Sequence, residues 1–459
     1  MRTIIILFVL IASLIFFAII TLRYYHPSKA TVVKSNLIID TKKVLGPVFP
    51  NWKAIAQGGE ESGVRMFQNV LPQMTELQSR YIRLDHLYDF YDVVSQDGGS
   101  LRFTWDSLDA TICDILSTGA KPFLALTYMP TVISDNGTVI GRPKDWTDWS
   151  IIVQMTIERY SGKTSQLCGG KFTGVPDIYY EVWNEPDLET FGKWSKGEYF
   201  KLYNYASQGA NRAQDVYPFM LGGPAITSLY ENWIKSFINY VDNNNLKLDF
   251  ISWHRYTTNP DDYTKDLTDL ESWLASLPLK YRNITKVISE WSYDSSHNPK
   301  SDIDGSGAYT VASIRNLMNK GLELAFSFEV KDGPTPSWGI LSYTGEKKPR
   351  FYALRILNLL KGLQLQVDGE GTFVRAIASF NPVDNKISVV LVNYDPNNSN
   401  NELVPLTFAN IADGNYQMIL TYTNNQTVTF NDLVAAGGRL QRSILMNPNM
   451  VIGVELQKL

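Results

Sequence analysis

Histidine and cysteine are scarce in this chain, four and two residues among 459. No histidine pair stands in a His-Glu-x-x-His arrangement, so the sequence carries no metal-site motif, and no cofactor is expected. A Gly-x-Ser-x-Gly elbow and a Gly-x-x-x-x-Gly-Lys-Ser/Thr phosphate loop are also missing, which leaves serine-nucleophile and nucleotide chemistry without a foothold. Positive charge is not in excess: the formal net charge of −4 argues against a nucleic-acid partner. Two cysteines cannot form a disulfide scaffold. Cys113 and Cys168 are read as buried, separate thiols, as free cysteines commonly are; pairing in an oxidising compartment is the alternative.

What is present is an ordinary globular composition, 44% hydrophobic and 19% charged, long enough for a large domain and a smaller one. Residues 3–22 carry no charge and are almost wholly apolar, between Arg2 and Arg23. About 20 such residues span a bilayer as a helix. Residues 1–30 are therefore expected to be a membrane anchor, or else a cleaved signal segment ending near Ser28-Lys29-Ala30. Arg23, Lys29 and Lys34 pull against export of the downstream chain, yet long domains translocate despite flanking charge. The expected location is outside the membrane, anchored or secreted.

Residues 31–44 read as one or two strands. From residue 45 to 362, short apolar runs alternate with stretches of helical spacing. The runs lie at Val48-Phe49, Tyr81–Leu84, Pro122–Met129, Ile178–Trp183, Met220–Ala225, Phe250–Tyr256, Val287–Trp291 and Leu324–Phe328. Stretches such as Phe67–Gln78 and Trp105–Leu116 repeat apolar residues three and four apart. Eight βα units predict an α/β fold, a (β/α)8 TIM barrel. Its closing helix is expected over Arg350–Leu360, between Pro349 and Gly362. Residues 363–459 read as five strands and predict a C-terminal β-sandwich, which the strand at 31–44 is expected to join because it cannot bury its apolar face alone.

Two glutamates end apolar runs: Glu185 in Tyr180-Glu-Val-Trp-Asn-Glu-Pro186 and Glu290 in Val287-Ile-Ser-Glu-Trp291. A charged side chain there is costly unless something pairs or uses it. On the fourth and seventh barrel strands they face each other across the mouth, where such barrels build active sites. Two opposed carboxyl groups are what glycosidic cleavage requires.

These phrases resemble glycoside hydrolase clan A, and within it family 39, the β-xylosidase and α-L-iduronidase family. The resemblance rests on Ile82-Arg-Leu-Asp-His86, Glu181-Val-Trp-Asn-Glu-Pro-Asp-Leu188, Gly222-Gly-Pro-Ala225, Asp249-Phe-Ile-Ser-Trp-His254, Ser289-Glu-Trp291 and Lys348-Pro349. It implies that Glu185 is the acid/base and Glu290 the nucleophile of a retaining hydrolase. It places Asn184 on the sugar 2-hydroxyl, Arg83 beside Glu290 to keep it charged, Tyr256 as a donor to Glu290, His254 on the acid side or a sugar hydroxyl, and Trp291 against substrate. The family pattern usually places His two residues beyond Arg83; this chain has Asp85 there, then His86. On the eighth strand a family Trp is replaced by Phe326-Ser-Phe-Glu-Val-Lys331, with Trp338 further on. Asp85, Glu329, Lys331 and Trp338 are therefore candidate specificity positions. The implied reaction is double displacement on a β-xyloside-like or exopolysaccharide bond, with an oligo- or polysaccharide as partner. The alternatives are a membrane-tethered carbohydrate-binding protein without turnover, and an endo-acting hydrolase of a surface polysaccharide.

Overall fold

The computed structural model describes residues 32–459 apart from 59, 60, 62, 297 and 337. The anchor or signal segment expected at residues 1–30 lies outside the described residues. Among those described, no helix is long and apolar enough to cross a membrane.

Eight parallel strands close into a barrel. In chain order they are Ala54–Gln57, Tyr81–Leu84, Lys121–Leu126, Ile178–Val182, Phe219–Ile226, Phe250–Tyr256, Thr285–Ser292 and Leu324–Phe328, the first to eighth barrel strands below. Side chains alternate across each strand, so Phe123, Phe250, Val287 and Phe326 fill the interior, while Ile82, Leu124, Tyr180 and Ile288 face the surrounding helices. Phe123 lies 4.6 Å from Phe326 and 5.4 Å from Tyr179, ring centre to ring centre.

The helices follow their local signals. Ser195 and Glu198 form a reciprocal capping box at the start of helix Lys196–Arg212, satisfying backbone donors that the first turn leaves open. Pro349 opens the closing helix Pro349–Leu357, and Gly362 turns beyond it at φ 76°, where a Cβ would meet the Phe380 carbonyl at 2.4 Å.

The first barrel strand differs from expectation. Val48-Phe49 is a lead-in whose Phe49 is exposed, and the strand itself is Ala54–Gln57, fully buried. Its alanines lie among Phe326 and Phe328; small residues there leave room for large ones opposite, so the strand lacks the large apolar residues of Lys121–Leu126 or Leu324–Phe328.

Apart from two small hairpins, Val94–Phe103 and Gln166–Thr173, the remaining strands form one sheet of nine, including Leu37–Pro47 from before the barrel. That strand pairs antiparallel with Leu363–Asp368 and parallel with Glu402–Ala409. The sheet is hydrogen-bonded from edge to edge. Its outermost strands, Thr427–Ala435 and Arg439–Met446, are consecutive in the chain. A flat sheet of this width would hold those edges roughly 38 Å apart at about 4.8 Å per strand. Three residues cannot span that, so the sheet must roll up around a single apolar cluster. Bulges in Leu37–Pro47 supply bending.

Cys113 and Cys168 are bonded in a disulfide with Cα atoms 5.5 Å apart, against the expectation of separate thiols. Cys113 sits on helix Asp106–Ser117 and Cys168 on a small hairpin at 166–173. Only the folded chain brings these 55-residue-separated positions together.

Candidate active site

The polar constellation stands on the carboxyl ends of the second, fourth, sixth and seventh strands. On the second strand, alternation puts Ile82 and Leu84 outward and Arg83 into the barrel, fully buried. Its guanidinium makes three contacts of 2.8 Å: Nε donates to Glu181, one terminal nitrogen to Glu290 and the other to Asn184. Asp85 lies 4.0 Å away. Burial opposes the Arg83 charge, but Glu181, Glu290 and Asp85 together raise its pKa above the usual arginine value.

Glu290 faces the barrel interior because the seventh strand breaks its alternation. Ile288 pairs with Trp253 of the sixth strand, yet Glu290 pairs with His254, leaving Ser289 as an extra residue. Starting from inward-facing Val287, strict alternation would aim Glu290 at the helices; this bulge reverses the phase. The same reversal corrects Trp291, expected against substrate. It is buried among the outer helices, 5.8 Å edge-on to Tyr263.

Both Glu290 oxygens are engaged, one by Arg83 and the other by the Tyr256 hydroxyl at 2.8 Å. Burial and the nearby carboxylates push the Tyr256 hydroxyl well up, so it stays a donor. Burial lowers the His254 pKa, and Glu290 with the Glu185 hydrogen bond more than reverses this. Its Nδ1 is 2.9 Å from Glu185 and 3.5 Å from Glu290.

Glu185 lies three residues beyond the end of the fourth strand. Its backbone is left-handed, φ 42°, as is that of Trp183, φ 71°. Such conformations persist where the surroundings enforce them. Here Glu185 N–H donates to the Ala225 carbonyl at 2.9 Å, and Asp187 accepts from Thr227, tying the loop to the fifth strand.

Side-chain ligand atoms of Glu185, His254 and Glu290 all fall within 4.8 Å of one another. These three could geometrically surround a cation. However, protein donors already occupy both Glu290 oxygens, and the Arg83 charge touches that carboxylate. The donor set fits a charge-compensated, hydrogen-bonded carboxylate better than a metal ligand.

Of the specificity candidates, Asp85 is buried beside Arg83. Glu329 accepts from Gln57 at 2.9 Å. Trp338 packs on Phe328 and donates to the Asp294 carbonyl. Lys331 points towards Asn69 and Tyr343. Sequence reasoning missed Glu181, Gln57, Arg350, which donates to the Phe328 and Trp338 carbonyls, and Tyr128, which accepts from Asn184 at 2.9 Å.

The profile of glycosyl hydrolases family 39 matches residues 36–415. The chain belongs to that family. It is 28% identical over 352 residues to a β-xylosidase of Caldicellulosiruptor saccharolyticus, covering 69% of this chain and 67% of that one. It is 26% identical over 376 residues to a β-xylosidase of Geobacillus stearothermophilus, covering 70% of each. In fold it is similar to a monomeric β-xylosidase from Caulobacter crescentus CB15, with a TM-score of 0.76, 19% identity, and 93% and 100% of the two chains covered. A family 39 member with this paired carboxylate site is a glycosidase, and a binding protein without turnover gains no support.

Proposed function

We propose that this family 39 glycosidase is a retaining enzyme, cleaving a β-xyloside-like or exopolysaccharide bond by double displacement. The observation that carries the reading is the close approach of Glu185 and Glu290, with ligand atoms within 4.8 Å. Retaining enzymes need carboxyl groups about 5 Å apart, whereas inverting ones leave roughly 6.5–9.5 Å for a water. In the first step Glu185 protonates the leaving oxygen while Glu290 attacks the anomeric carbon, forming a glycosyl ester. In the second, Glu185 takes a proton from water, which releases the sugar with its original configuration. Asn184, held by Arg83 and Tyr128, is placed to bond the sugar 2-hydroxyl, a contact that strengthens as positive charge develops on the ring. The β-xylosidase relatives support the xyloside side of the proposal.

A 2-fluoro glycoside with a good leaving group is expected to add one sugar mass to Glu290, located by peptide mass spectrometry. Glu290→Gln is expected to lose about 10⁴-fold or more in kcat. Wild-type turnover in that variant, or inverted product by NMR, sinks the reading.

We also infer that the barrel works in an oxidising compartment outside the cytosol. The Cys113–Cys168 disulfide supports this, because such bonds persist where thiols are not kept reduced. Alkylation of the native protein without reductant is expected to label neither cysteine; two labelled thiols would place it in a reducing compartment.

A further inference from the structure

We propose that Glu181 is a positioning residue of the reaction, acting through Arg83 to set how strongly that arginine holds the Glu290 carboxylate. The inference rests on the retaining reading and deepens it. Glu181 sits at an inward position of the fourth strand, fully buried, and its Oε2 accepts from Arg83 Nε at 2.8 Å. Its other oxygen has no hydrogen-bond partner among the described residues.

A buried carboxylate in that state is a poor device for stability. Burying an ion pair costs desolvation that the attraction rarely exceeds, and well-packed apolar residues often do as well or better. The position of Glu181 explains its presence differently. One guanidinium bridges Glu181, Glu290 and Asn184, so Arg83 cannot swing towards the nucleophile without breaking its bond to Glu181. Glu181 therefore fixes the guanidinium plane and shares its positive charge. The nucleophile must release electron density to the anomeric carbon, which it does less readily when fewer carboxylates share the Arg83 charge.

The other groups facing Glu290 are His254 and Tyr256 from the sixth strand, Glu185 after the fourth, Asp85 after the second and Tyr128 after the third. Tyr199 is the further titratable group near Glu181, its pKa raised by burial and by that carboxylate. Glu181→Gln keeps the shape and an oxygen for Arg83 Nε but removes the charge.

The test is the pH dependence of kcat/KM on an aryl glycoside. In Glu181→Gln the acid limb is expected to move down by roughly half a unit to one unit, because one negative neighbour of Glu290 is gone. kcat is expected to fall at the plateau with KM nearly unchanged. A profile superimposed on wild type overturns the proposal. A double-mutant cycle with Arg83→Lys guards against a general folding defect. Coupled residues are expected to lose less together than the sum of the single losses, and strict additivity overturns the proposal as well. Wild-type protein inert towards every glycoside would instead strike the retaining reading itself. Turnover by wild type with an unshifted variant strikes only the role of Glu181.

Discussion

Burial pushes the Glu290 carboxyl above its ordinary value, while His254 and Arg83 pull it down and Glu185 and Asp85 push it up again; the net direction is upward. His254 rises because the carboxylates favour its cation. Attack requires ionised Glu290, so kcat/KM is expected to fall as pH drops through a limb lying above the usual glutamate range. Replacing His254 with Gln removes the strongest influence opposing the rise, so that limb should move to higher pH. An unmoved limb in the pH–rate profile would remove His254 from the nucleophile's electrostatic surroundings. Glu185→Ala should slow substrates with poor leaving groups far more than nitrophenyl glycosides, because only the former need a proton at departure. Equal losses across a leaving-group series would take the acid role from Glu185. The pair itself was legible because each glutamate interrupts an apolar run. That reasoning applies with more force to Glu181, which lies within the fourth strand, but its partner Arg83 is 98 positions away and no local pattern joins them.

The elements show which signals survive without coordinates. Tyr81–Leu84, Phe250–Tyr256 and Leu324–Phe328 coincide with their apolar runs, because strands buried on both faces need continuous hydrophobic sequence. Ala54–Gln57 was hidden because its task is to be small. Trp291 was misassigned because a bulge, not composition, decides which way the seventh strand faces beyond Ser289. The helix Asp261–Ala275 holds a different cost. Asp266 on its inner face is 6% exposed, and burial pushes its carboxyl up to about 6, with Arg255 opposing and Asp262 adding. A raised folded-state pKa means that the protonated form favours folding, and this benefit is lost as pH rises through about 6. Asp266→Asn is therefore expected to raise Tm at pH 7.5, by about 2 °C, and to raise it less at pH 5, where part of the benefit of protonation remains. Equal shifts at both pH values, by scanning calorimetry, would separate the effect from ionisation.

At the scale of the whole molecule, the disulfide ties helix Asp106–Ser117 to the excursion before the fourth strand across 55 residues. Closing a loop of that length restricts the unfolded chain, worth up to about 4 kcal/mol in the chain-entropy account. A Cys113→Ser/Cys168→Ser variant is expected to unfold at lower temperature, with kcat at 25 °C nearly kept, since neither residue touches the carboxylate pair. Unchanged Tm would show that the barrel alone fixes these segments. The polar centre itself has no such local staple. Arg83, Glu181, Glu290 and His254 come from four strands, so its geometry depends on complete closure of the barrel.

Strand Leu37–Pro47 has a consequence for how the protein is made. It leaves the ribosome before any of the barrel, yet both its neighbours, Leu363–Asp368 and Glu402–Ala409, are translated more than 300 residues later. At about 5–20 residues per second, its backbone hydrogen bonds wait at least on the order of 15 seconds for their partners. An early segment kept waiting that long, rich in isoleucine, leucine and valine, is a natural client for a holding chaperone.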